Sequence, residues 1–168
     1  MGASIPCRPD AVLRIGLISD THGLLRPQAV DFLAGSDFIV HAGDVGNSLI
    51  LESLAALAPL TVVRGNIDHG AWAERLPYSD RLGAGGLHLY AIHDLSDLPI
   101  DALEAQVDVV VHGHSHQPRV ETRGDVLYVN PGSAGPRRFR LPIAAGELLI
   151  ENGRVSARIV DLETGLTL

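Results

Sequence analysis

The stretch Val109-Val110-Val111-His112-Gly113-His114-Ser115-His116 carries the clearest structural signal in the sequence. Three consecutive valines predict a buried strand, and the glycine after them predicts its end. Two imidazoles, His114 and His116, then stand two residues apart. Imidazole is the commonest protein ligand of transition metals, and this spacing lets two rings reach one small volume. By itself, the motif is as compatible with a structural role as with a metal site.

Four upstream stretches share this design. Each follows a short apolar run that predicts a strand, and each carries polar side chains where that strand ends. They are Asp20-Thr21-His22, Gly43-Asp44, Gly65-Asn66 and Ile92-His93. Taken singly, such sequences are also common in turns and helix caps. Their recurrence at intervals of about one βα unit predicts a single shared site.

The segments between these motifs predict short helices. Residues 26–34 and 48–57 fit helices, the second capped by Ser48, residues 99–106 fit a third, and residues 71–76 fit one helical turn. Beyond Arg119 the turns at 123–125 and 152–153 predict two hairpins, and residues 83–86 predict a further hairpin connection. This order predicts a mixed α/β fold of two packed sheets with helices outside, and open α/β sheets place their sites at strand carboxyl ends.

Length and composition indicate one globular domain. The 168 residues are 46% hydrophobic, so we expect a single domain over 12–168 after a flexible tail over 1–11. No apolar run reaches the ~18 residues that a membrane span needs, and the first ten residues lack a signal-peptide block. A single cysteine, Cys7, excludes an intrachain disulfide. We therefore expect a cytoplasmic protein that does not engage a membrane.

The net charge of −7 argues against a surface that follows a nucleic-acid backbone. A small phosphorylated substrate stays compatible with this charge, because bound metal can reverse its sign locally. Homo-oligomerisation is left open by the sequence.

Seven side chains make up the candidate metal site. Nitrogen and oxygen donors without a thiolate suit manganese, iron, nickel or zinc. Seven donors are too many for one tetrahedral ion, but they suffice for two ions if one carboxylate bridges. Two ions ~3.5–4 Å apart can hold both sides of a phosphoryl group, and with only two aspartates the charge balance favours an anionic ligand. The seven are Asp20, His22, Asp44, Asn66, His93, His114 and His116.

This ordered set resembles the calcineurin-like metallophosphoesterase superfamily, over Ile15 to about Arg137. The later Asn130-Pro131-Gly132-Ser133 and Pro136-Arg137 resemble its small, single-domain bacterial and archaeal phosphodiesterase branch. The resemblance implies an α/β fold, a four-layer αββα sandwich of two mixed β-sheets flanked by helices. It also implies two divalent ions, with manganese expected first and nickel, iron or zinc as alternatives.

The resemblance further assigns ligands. One ion would be held by Asp20, His22, Asp44 and His116, and the other by Asp44, Asn66, His93 and His114, with Asp44 bridging. In the family a metal-bound hydroxide attacks phosphorus, and Asn66 would also bind a substrate oxygen.

Two positions depart from the family pattern. Many members carry a histidine after the Gly-Asn pair as general acid, but Ile67 stands there, and isoleucine cannot donate a proton. His69 is the candidate substitute acid. Asp94 stands where a small residue usually follows the histidine, and we expect its carboxylate to face solvent because burying an unpaired charge is costly.

Other polar residues have two interpretations each. Arg137, Arg138 and Arg140 could clamp a phosphate or form a solvated basic stretch, and we take Arg137 and Arg138 as candidate substrate-binding residues. His41 and His112 are either satisfied core histidines or residues that orient ligands.

The function that this reading favours is a dinuclear phosphodiesterase that hydrolyses a small organic phosphate ester, with Asp44, Asn66 and His69 as candidate catalytic residues. The alternatives are a phosphomonoesterase acting on nucleotides and a non-catalytic scaffold, since the eukaryotic retromer scaffold subunit resembles the same branch. The full set of seven ligands favours the enzyme.

Overall fold

Eleven strands and two α-helices are found in the part of the chain that the computed structural model describes, residues 4–5 and 11–168. The strands are β1 (Ser4–Ile5), β2 (Leu13–Ile18), β3 (Phe38–His41), β4 (Leu60–Val62), β5 (Ser79–Ala84), β6 (Leu87–Ile92), β7 (Val109–Val111), β8 (Arg119–Arg123), β9 (Val126–Asn130), β10 (Ala144–Glu151) and β11 (Arg154–Asp161). The helices are α1 (Pro27–Leu33) and α2 (Ser48–Ala55), with 3₁₀ helices at Ala73–Arg75, Leu95–Asp97 and Ile100–Leu103.

Two mixed sheets result. One has the strand order β11-β10-β2-β3-β4, in which β2, β3 and β4 run parallel and β10 runs antiparallel to both β2 and β11. The other has the order β1-β5-β6-β7-β9-β8, in which β6, β7 and β9 run parallel and the hairpins β5–β6 and β8–β9 are antiparallel. The predicted mixed α/β class is confirmed.

The core between the sheets is built from alternate residues of the central strands. Leu17 and Val40 from the five-stranded sheet and Val109 and Val111 from the six-stranded sheet belong to one cluster of buried apolar side chains. Because side chains alternate across a strand, the neighbouring residues of these strands face the outer layers. This packing confirms the sandwich arrangement.

The two outer layers differ. On the five-stranded sheet, Ala29 and Leu33 of α1 and Leu54 of α2 pack in a cluster with Ile18 and Ile39. On the six-stranded sheet, a cluster around Val110 and Tyr128 is covered by 3₁₀ segments through Ala102, Leu95 and Leu98. The fourth layer of the sandwich is therefore made of 3₁₀ helices.

The helix predicted over residues 99–106 is the clearest difference from the sequence pattern. Only Ile100–Leu103 is helical, and it is 3₁₀. Ala102 is its one buried residue, while Ile100 is 89% exposed. A short helix depends on an apolar face packed against the core, and this segment offers too little of one.

Smaller differences concern ends and edges. The cap of α2 is Asn47, whose side chain accepts a hydrogen bond from the amide of Leu49, so the predicted cap at Ser48 is wrong by one residue. Strand β5 was missed, because only its last two residues, Gly83 and Ala84, fell in the predicted hairpin connection. Of the predicted tail, Ser4–Ile5 pair in parallel with β5, and residues 1–3 and 6–10 lie outside the described residues.

Within the described residues, no helix is both long and apolar enough to cross a membrane.

Candidate metal centre

Five strand ends bring the seven candidate ligands to one edge of the sandwich. Strands β2, β3 and β4 are parallel neighbours in one sheet and lead to Asp20 and His22, to Asp44 and to Asn66. Strands β6 and β7 are parallel neighbours in the other sheet and lead to His93 and to His114 and His116. Parallel neighbours end at the same sheet edge, so the two sheets deliver their polar loops to one place.

The first set of side chains, here called the inner ligand group, consists of Asp20, His22 and His116. Asp20 Oδ1 lies 3.3 Å from His116 Nε2 and 3.8 Å from His22 Nε2, and the two Nε2 atoms are 3.3 Å apart. Asp20 is 0% exposed and His116 3%. These three ligating atoms all lie within 4.8 Å of one another, which suits a single small cation.

The second set, the outer ligand group, consists of Asn66, His93 and His114. Asn66 Oδ1 lies 3.1 Å from His93 Nε2 and 3.2 Å from His114 Nδ1. His93 is buried, but Asn66 is exposed and the side chain of His114 is 46% exposed. This group opens to the outside.

Asp44 stands between the two groups. Its Oδ2 lies 3.5 Å from His22 Nε2, and its Oδ1 lies 3.4 Å from His93 Nε2. Asp44 Oδ1 also accepts a hydrogen bond of 3.0 Å from the amide of Ile67. One carboxylate therefore faces both groups with different oxygens, the arrangement that a bridging ligand requires.

The contacts within the site are between atoms that all carry lone pairs. His93 Nδ1 lies 2.7 Å from the carbonyl of Ala42, which only accepts, so Nδ1 carries the proton. The lone pair of His93 Nε2 then faces the oxygens of Asn66 and Asp44. Acceptors that face one another at this distance need a cation between them, either a proton or a metal.

A buried atom without a hydrogen-bond partner also indicates a cation in the site. Asp20 Oδ1 is buried and has no hydrogen-bond partner among the described residues, and His116 Nδ1 shares that condition. A buried carboxylate oxygen without a partner is costly. Since Oδ1 is the atom that faces His22 and His116, the donor set fits a divalent cation held by nitrogen and oxygen ligands.

The electrostatics favour positive charge in the site. Burial alone would raise the pKa of Asp20, but His116, His22 and the Ser19 hydroxyl hold it below its ordinary value. Burial alone would lower the pKa of His93, but the carboxylates of Asp44 and Asp20 raise it. Two ionised aspartates at a buried edge are stabilised by cations.

The backbone of the site is unusual. Five of the seven candidate ligands have positive φ, a conformation that non-glycine residues rarely adopt and that costs of order 1–3 kcal/mol each. They are Asp20 (54°), His22 (46°), Asp44 (54°), His114 (67°) and His116 (60°). So many residues keep a positive φ only where the surrounding contacts are strong. The loops therefore hold the ligand side chains in fixed directions.

Two glycines permit the close approach of these loops. A Cβ at Gly65 would lie 2.1 Å from both the amide nitrogen and Oδ1 of Asp44, and a Cβ at Gly113 would lie 2.0 Å from the hydroxyl of Ser19. Neither position has room for a side chain. The glycines of the Gly-Asn and Gly-His motifs thus let neighbouring loops touch.

His41 supports the inner group from beneath. Its Nδ1 accepts a hydrogen bond of 3.1 Å from the amide of Gly43, so its Nε2 donates to the hydroxyl of Thr21 at 3.0 Å. Thr21 then donates to the carbonyl of Val45 at 2.9 Å. Burial lowers the pKa of His41 to about 4, so the ring is neutral. His41 is therefore a satisfied core histidine, and through Thr21 it also contacts the loop that carries Asp20 and His22.

Asp68 is a residue that sequence reasoning missed. It is fully buried, its Oδ1 accepts from the amide of Gly46 at 2.8 Å, and its Oδ2 accepts from the amide of Gly65 at 2.9 Å. It therefore ties the Asp44 loop to the Asn66 loop. Its place in Gly65-Asn66-Ile67-Asp68, two residues beyond a ligand, was the available signal.

Asp94 does not simply face solvent as expected. Its Oδ1 accepts hydrogen bonds from the amide and hydroxyl of Ser96 at 2.9 and 2.8 Å, and its Oδ2 lies 3.4 Å from His114 Nε2. The expectation is corrected because His114 provides the partner that a lone carboxylate lacks. A carboxylate on Nε2 leaves the Nδ1 lone pair of His114 turned to Asn66.

The Asn-Pro-Gly-Ser turn has a structural role. Asn130 donates a hydrogen bond of 2.9 Å to the carbonyl of Gly113, and the Ser133 hydroxyl donates one of 2.9 Å to the carbonyl of Asp20. The turn thus fixes two ligand-bearing loops.

The two candidate substrate-binding arginines lie beyond this turn. Arg137 contacts Glu163 and the carbonyl of Leu141 and none of the seven candidate metal ligands, and Arg138 is exposed. Their substrate role stays a prediction.

Ile67 and His69, the two positions considered for the general acid, follow Asn66 within three residues. Ile67 is half-buried, and its amide is committed to Asp44. His69 is exposed and makes no side-chain hydrogen bond to another described residue. Its acid role also stays a prediction. His112 is buried with a pKa lowered by burial, and it is not among the converging residues.

A cavity of about 340 Å³ opens beside the outer ligand group. Its lining includes all three outer ligands and none of the inner ones. The rest of the wall is formed by Arg64, Gly65, Tyr78, Ser79, Tyr90, Ile92, Asp94, Asp97 and Pro99. Any substrate that reaches the site through this cavity meets the outer group first.

Comparison with known proteins shows the family of the chain. The model of the calcineurin-like phosphoesterase superfamily domain matches residues 13–153. A probable metallophosphoesterase of Methanocaldococcus jannaschii is 34% identical over 162 residues, which cover 89% of this chain and 81% of that protein. The Escherichia coli phosphodiesterase YfcE is 28% identical over 167 residues, covering 82% of this chain and 88% of its own.

Among solved structures, vacuolar protein sorting 29 of Cryptosporidium parvum superposes with a TM-score of 0.79 at 21% identity, covering 95% of this chain and 96% of its own. That likeness shows a shared fold. The family match spans all five motifs, and the loops that carry them converge as a metal centre would require. The chain therefore belongs to the calcineurin-like phosphoesterase superfamily.

Proposed function

We propose that this chain is a dinuclear metal-dependent phosphodiesterase that hydrolyses a small organic phosphate ester. The observation that carries the proposal is Asp44, whose two oxygens face the inner and outer ligand groups at 3.5 and 3.4 Å. The two sets adjoin, since ligating atoms of Asp20, Asp44 and His93 also lie within 4.8 Å of one another. Seven donors around a carboxylate that faces both sets are more than one tetrahedral ion can use. The uncompensated Asp20 Oδ1 supports a cation in the inner group.

The division of ligands that we propose is the one that the family resemblance implies. Asp20, His22 and His116 with Asp44 would hold one ion, and Asn66, His93 and His114 with Asp44 the other. When bound, two divalent ions would supply positive charge for the phosphoryl group and activate a water molecule as nucleophile. Manganese is the expected metal, with nickel, iron and zinc as alternatives.

The chain itself positions the substrate. Asn66 turns its Oδ1 toward His93 and His114, and its exposed amide nitrogen is left to donate to a phosphoryl oxygen. Asp44 and Asp20 stay ionised, because neighbouring groups hold the pKa of each carboxyl below its ordinary value despite burial. The site therefore orients an anion without contributing a proton from these carboxyls.

The leaving group receives no proton from position 67. A positioned acid typically adds ~10²–10⁴-fold to such reactions. We therefore expect a strong dependence of rate on leaving-group acidity, with nitrophenyl esters cleaved readily and alkyl esters slowly. The experiment is a series of aryl and alkyl phosphodiesters, with manganese added, on the unmodified chain, Ile67→His and His69→Ala.

Ile67→His should help poor leaving groups more than good ones. If His69 is the substitute acid, His69→Ala should slow only the esters with poor leaving groups. A rate that does not vary with the leaving group, and does not change in His69→Ala, would show that another acid operates. Greater activity on monoesters than on diesters would favour the phosphomonoesterase alternative.

The scaffold alternative is addressed by metal content. A surface that only binds partners has no need of seven converging donors, five of them in a strained backbone conformation. Elemental analysis after mild purification should find about two transition-metal ions per chain. A chain that is empty and refuses added manganese would favour the scaffold.

A further inference from the structure

The cavity beside the outer ligand group has a composition of its own. Its lining includes the ligands Asn66, His93 and His114, so an ester held by these ligands has room to extend one arm into the cavity. The volume of about 340 Å³ lies within the range of ~300–1,000 Å³ for small-molecule sites. It is large enough for one ring-bearing group.

One residue that lines this cavity, Tyr78, has an exposed aromatic ring, here called the aromatic platform. Tyr78 is 70% exposed, which is unusual for a large aromatic residue, and the Arg64 guanidinium sits 5.4 Å from the centre of its ring. Arg64 is itself held, because its Nε donates to the carbonyl of Asp68 at 3.1 Å. A fixed arginine on one tyrosine ring keeps the ring in place without burying it.

The remaining wall is apolar and almost neutral. Tyr90 and Ile92 are buried residues that line the cavity together with Pro99. Its charged residues outside the ligands are Arg64, Asp94 and Asp97, a balance of −1. The walls away from the metal ligands therefore carry one cation and two carboxylates, which favours an uncharged group there over a second anion.

We propose that this cavity binds an ester arm that is uncharged and carries a flat aromatic ring, stacked on Tyr78. The inference rests on the proposed phosphodiesterase function and adds a substrate class to it. Stacking of a base on an aromatic side chain is worth ~1–3 kcal/mol, about 5–150-fold in affinity. A nucleoside and a simple aryl alcohol share this chemistry, and Asp97 supplies a carboxylate that would accept from a sugar hydroxyl.

The experiment compares three anions that carry the same phosphate. Methyl phosphate, phenyl phosphate and uridine 5′-monophosphate are tested as inhibitors of bis(p-nitrophenyl) phosphate hydrolysis by the manganese-loaded chain. Phenyl phosphate and the nucleotide should bind at least about 5-fold more tightly than methyl phosphate. If the nucleotide binds more tightly than phenyl phosphate and this gain is lost in Asp97→Ala, the ring is that of a nucleoside. Equal binding of the two would identify a simple aryl group.

Variants of Tyr78 test the platform. Tyr78→Leu keeps apolar area but removes the π face, so it should abolish the advantage of the aromatic ligands and leave methyl phosphate unchanged. Tyr78→Trp should keep that advantage. Leu49→Ala, which changes an exposed apolar side chain on α2 outside the cavity, is the matched control and should change none of the three affinities.

The two proposals fail differently. If bis(p-nitrophenyl) phosphate is hydrolysed but the three anions bind equally, the aromatic cavity is overturned and the phosphodiesterase function stands. If no ester is hydrolysed, the proposed function is overturned, and calorimetric titration of the manganese-loaded chain with methyl and phenyl phosphate still decides the inference. Equal affinities there, or a preference unaffected by Tyr78→Leu, would reject it.

Discussion

The inner and outer ligand groups contain similar donors but stand in opposite surroundings. The inner group is closed, since Asp20 and His116 are almost fully buried and each has an orphan polar atom. The outer group is open, since Asn66 is exposed and His114 is nearly half exposed at a cavity wall. Protein atoms surround one group, and solvent reaches the other.

This difference indicates a division of labour. A buried group with uncompensated charge binds a cation tightly and exchanges it slowly, because removing the cation leaves a costly unpaired carboxylate. An open group can exchange its cation and can accept oxygens of a substrate. We expect the inner ion to stabilise the fold and the outer ion to contact the ester. Four measurements test this contrast.

The largest effect should come from Asp44→Asn. A neutral amide cannot balance two cations and cannot present two anionic oxygens, so both groups should lose metal together. We expect turnover to fall by at least about 100-fold, the scale of losses at metal sites. Steady-state kinetics and metal analysis per chain are the measurements. The control is Asp31→Asn, an exposed aspartate of α1, and retention of two ions in Asp44→Asn would contradict the bridging assignment.

Single-histidine variants should separate the groups. His116→Ala should remove the inner ion and His93→Ala the outer one, so that each variant keeps about one ion per chain. His116→Ala should also lower the melting temperature more, because it leaves Asp20 buried without a counter-charge. Manganese stoichiometry and thermal unfolding in the same buffer test this. Equal loss of both ions in either variant would mean that the ligands are assigned to the wrong groups.

A weaker effect is expected at Asp94. Its carboxylate is held by Ser96 and faces His114 Nε2 at 3.4 Å, so Asp94→Ala frees the ring of an outer ligand. Loss of such an orienting group typically costs about 10–100-fold in metal affinity. Calorimetric titration with manganese should show two binding events. The affinity of the weaker event, at the outer group, should fall about 10-fold, and the affinity of the tighter event should stay unchanged. Asp101→Asn, an exposed neighbour, serves as the control.

The smallest effect concerns pH and the support of the inner group. His41 has a pKa lowered by burial to about 4, whereas an unfolded histidine titrates near ~6.5. Between these values the unfolded chain binds a proton that the folded chain does not, so stability should decrease as pH falls from about 6.5 to 4. The slope attributable to His41 is at most about 1.4 kcal/mol per pH unit.

Urea unfolding of the metal-free protein at several pH values measures this slope. His41→Gln keeps a donor and an acceptor but does not titrate, so its stability should change less over the same window. Identical slopes for the two proteins would show that His41 is not the group responsible.

The sequence predicted the ligands well because each one follows a strand whose apolar residues identify it. The apolar runs Phe38–His41 and Leu87–Ile92 each predict a strand, and β3 and β6 have these bounds, which places Asp44 and His93 directly. The side-by-side order of β2, β3 and β4 then follows from short connections between parallel strands. The strand ends and the order of the parallel strands were therefore almost enough to predict that the seven side chains converge.

What could not be predicted depends on contacts far apart in sequence. The side chain of Asp94 was expected in solvent because nothing local names His114 as its partner. The helix over residues 99–106 has suitable residues but lacks a face to bury. Strand β5 has a weak apolar pattern, with only Leu82 and Ala84 buried, and is recognisable only when β6 pairs with it.

The inner ligand group joins points that are distant along the chain. His22 and His116 are separated by 94 positions, and they come from different sheets. A cation held between them would act as a removable crosslink, closing a long loop in a chain whose single cysteine excludes an intrachain disulfide. Resistance of the protein to proteolysis should therefore increase when metal is supplied, because the cation binds the folded chain and not the unfolded one.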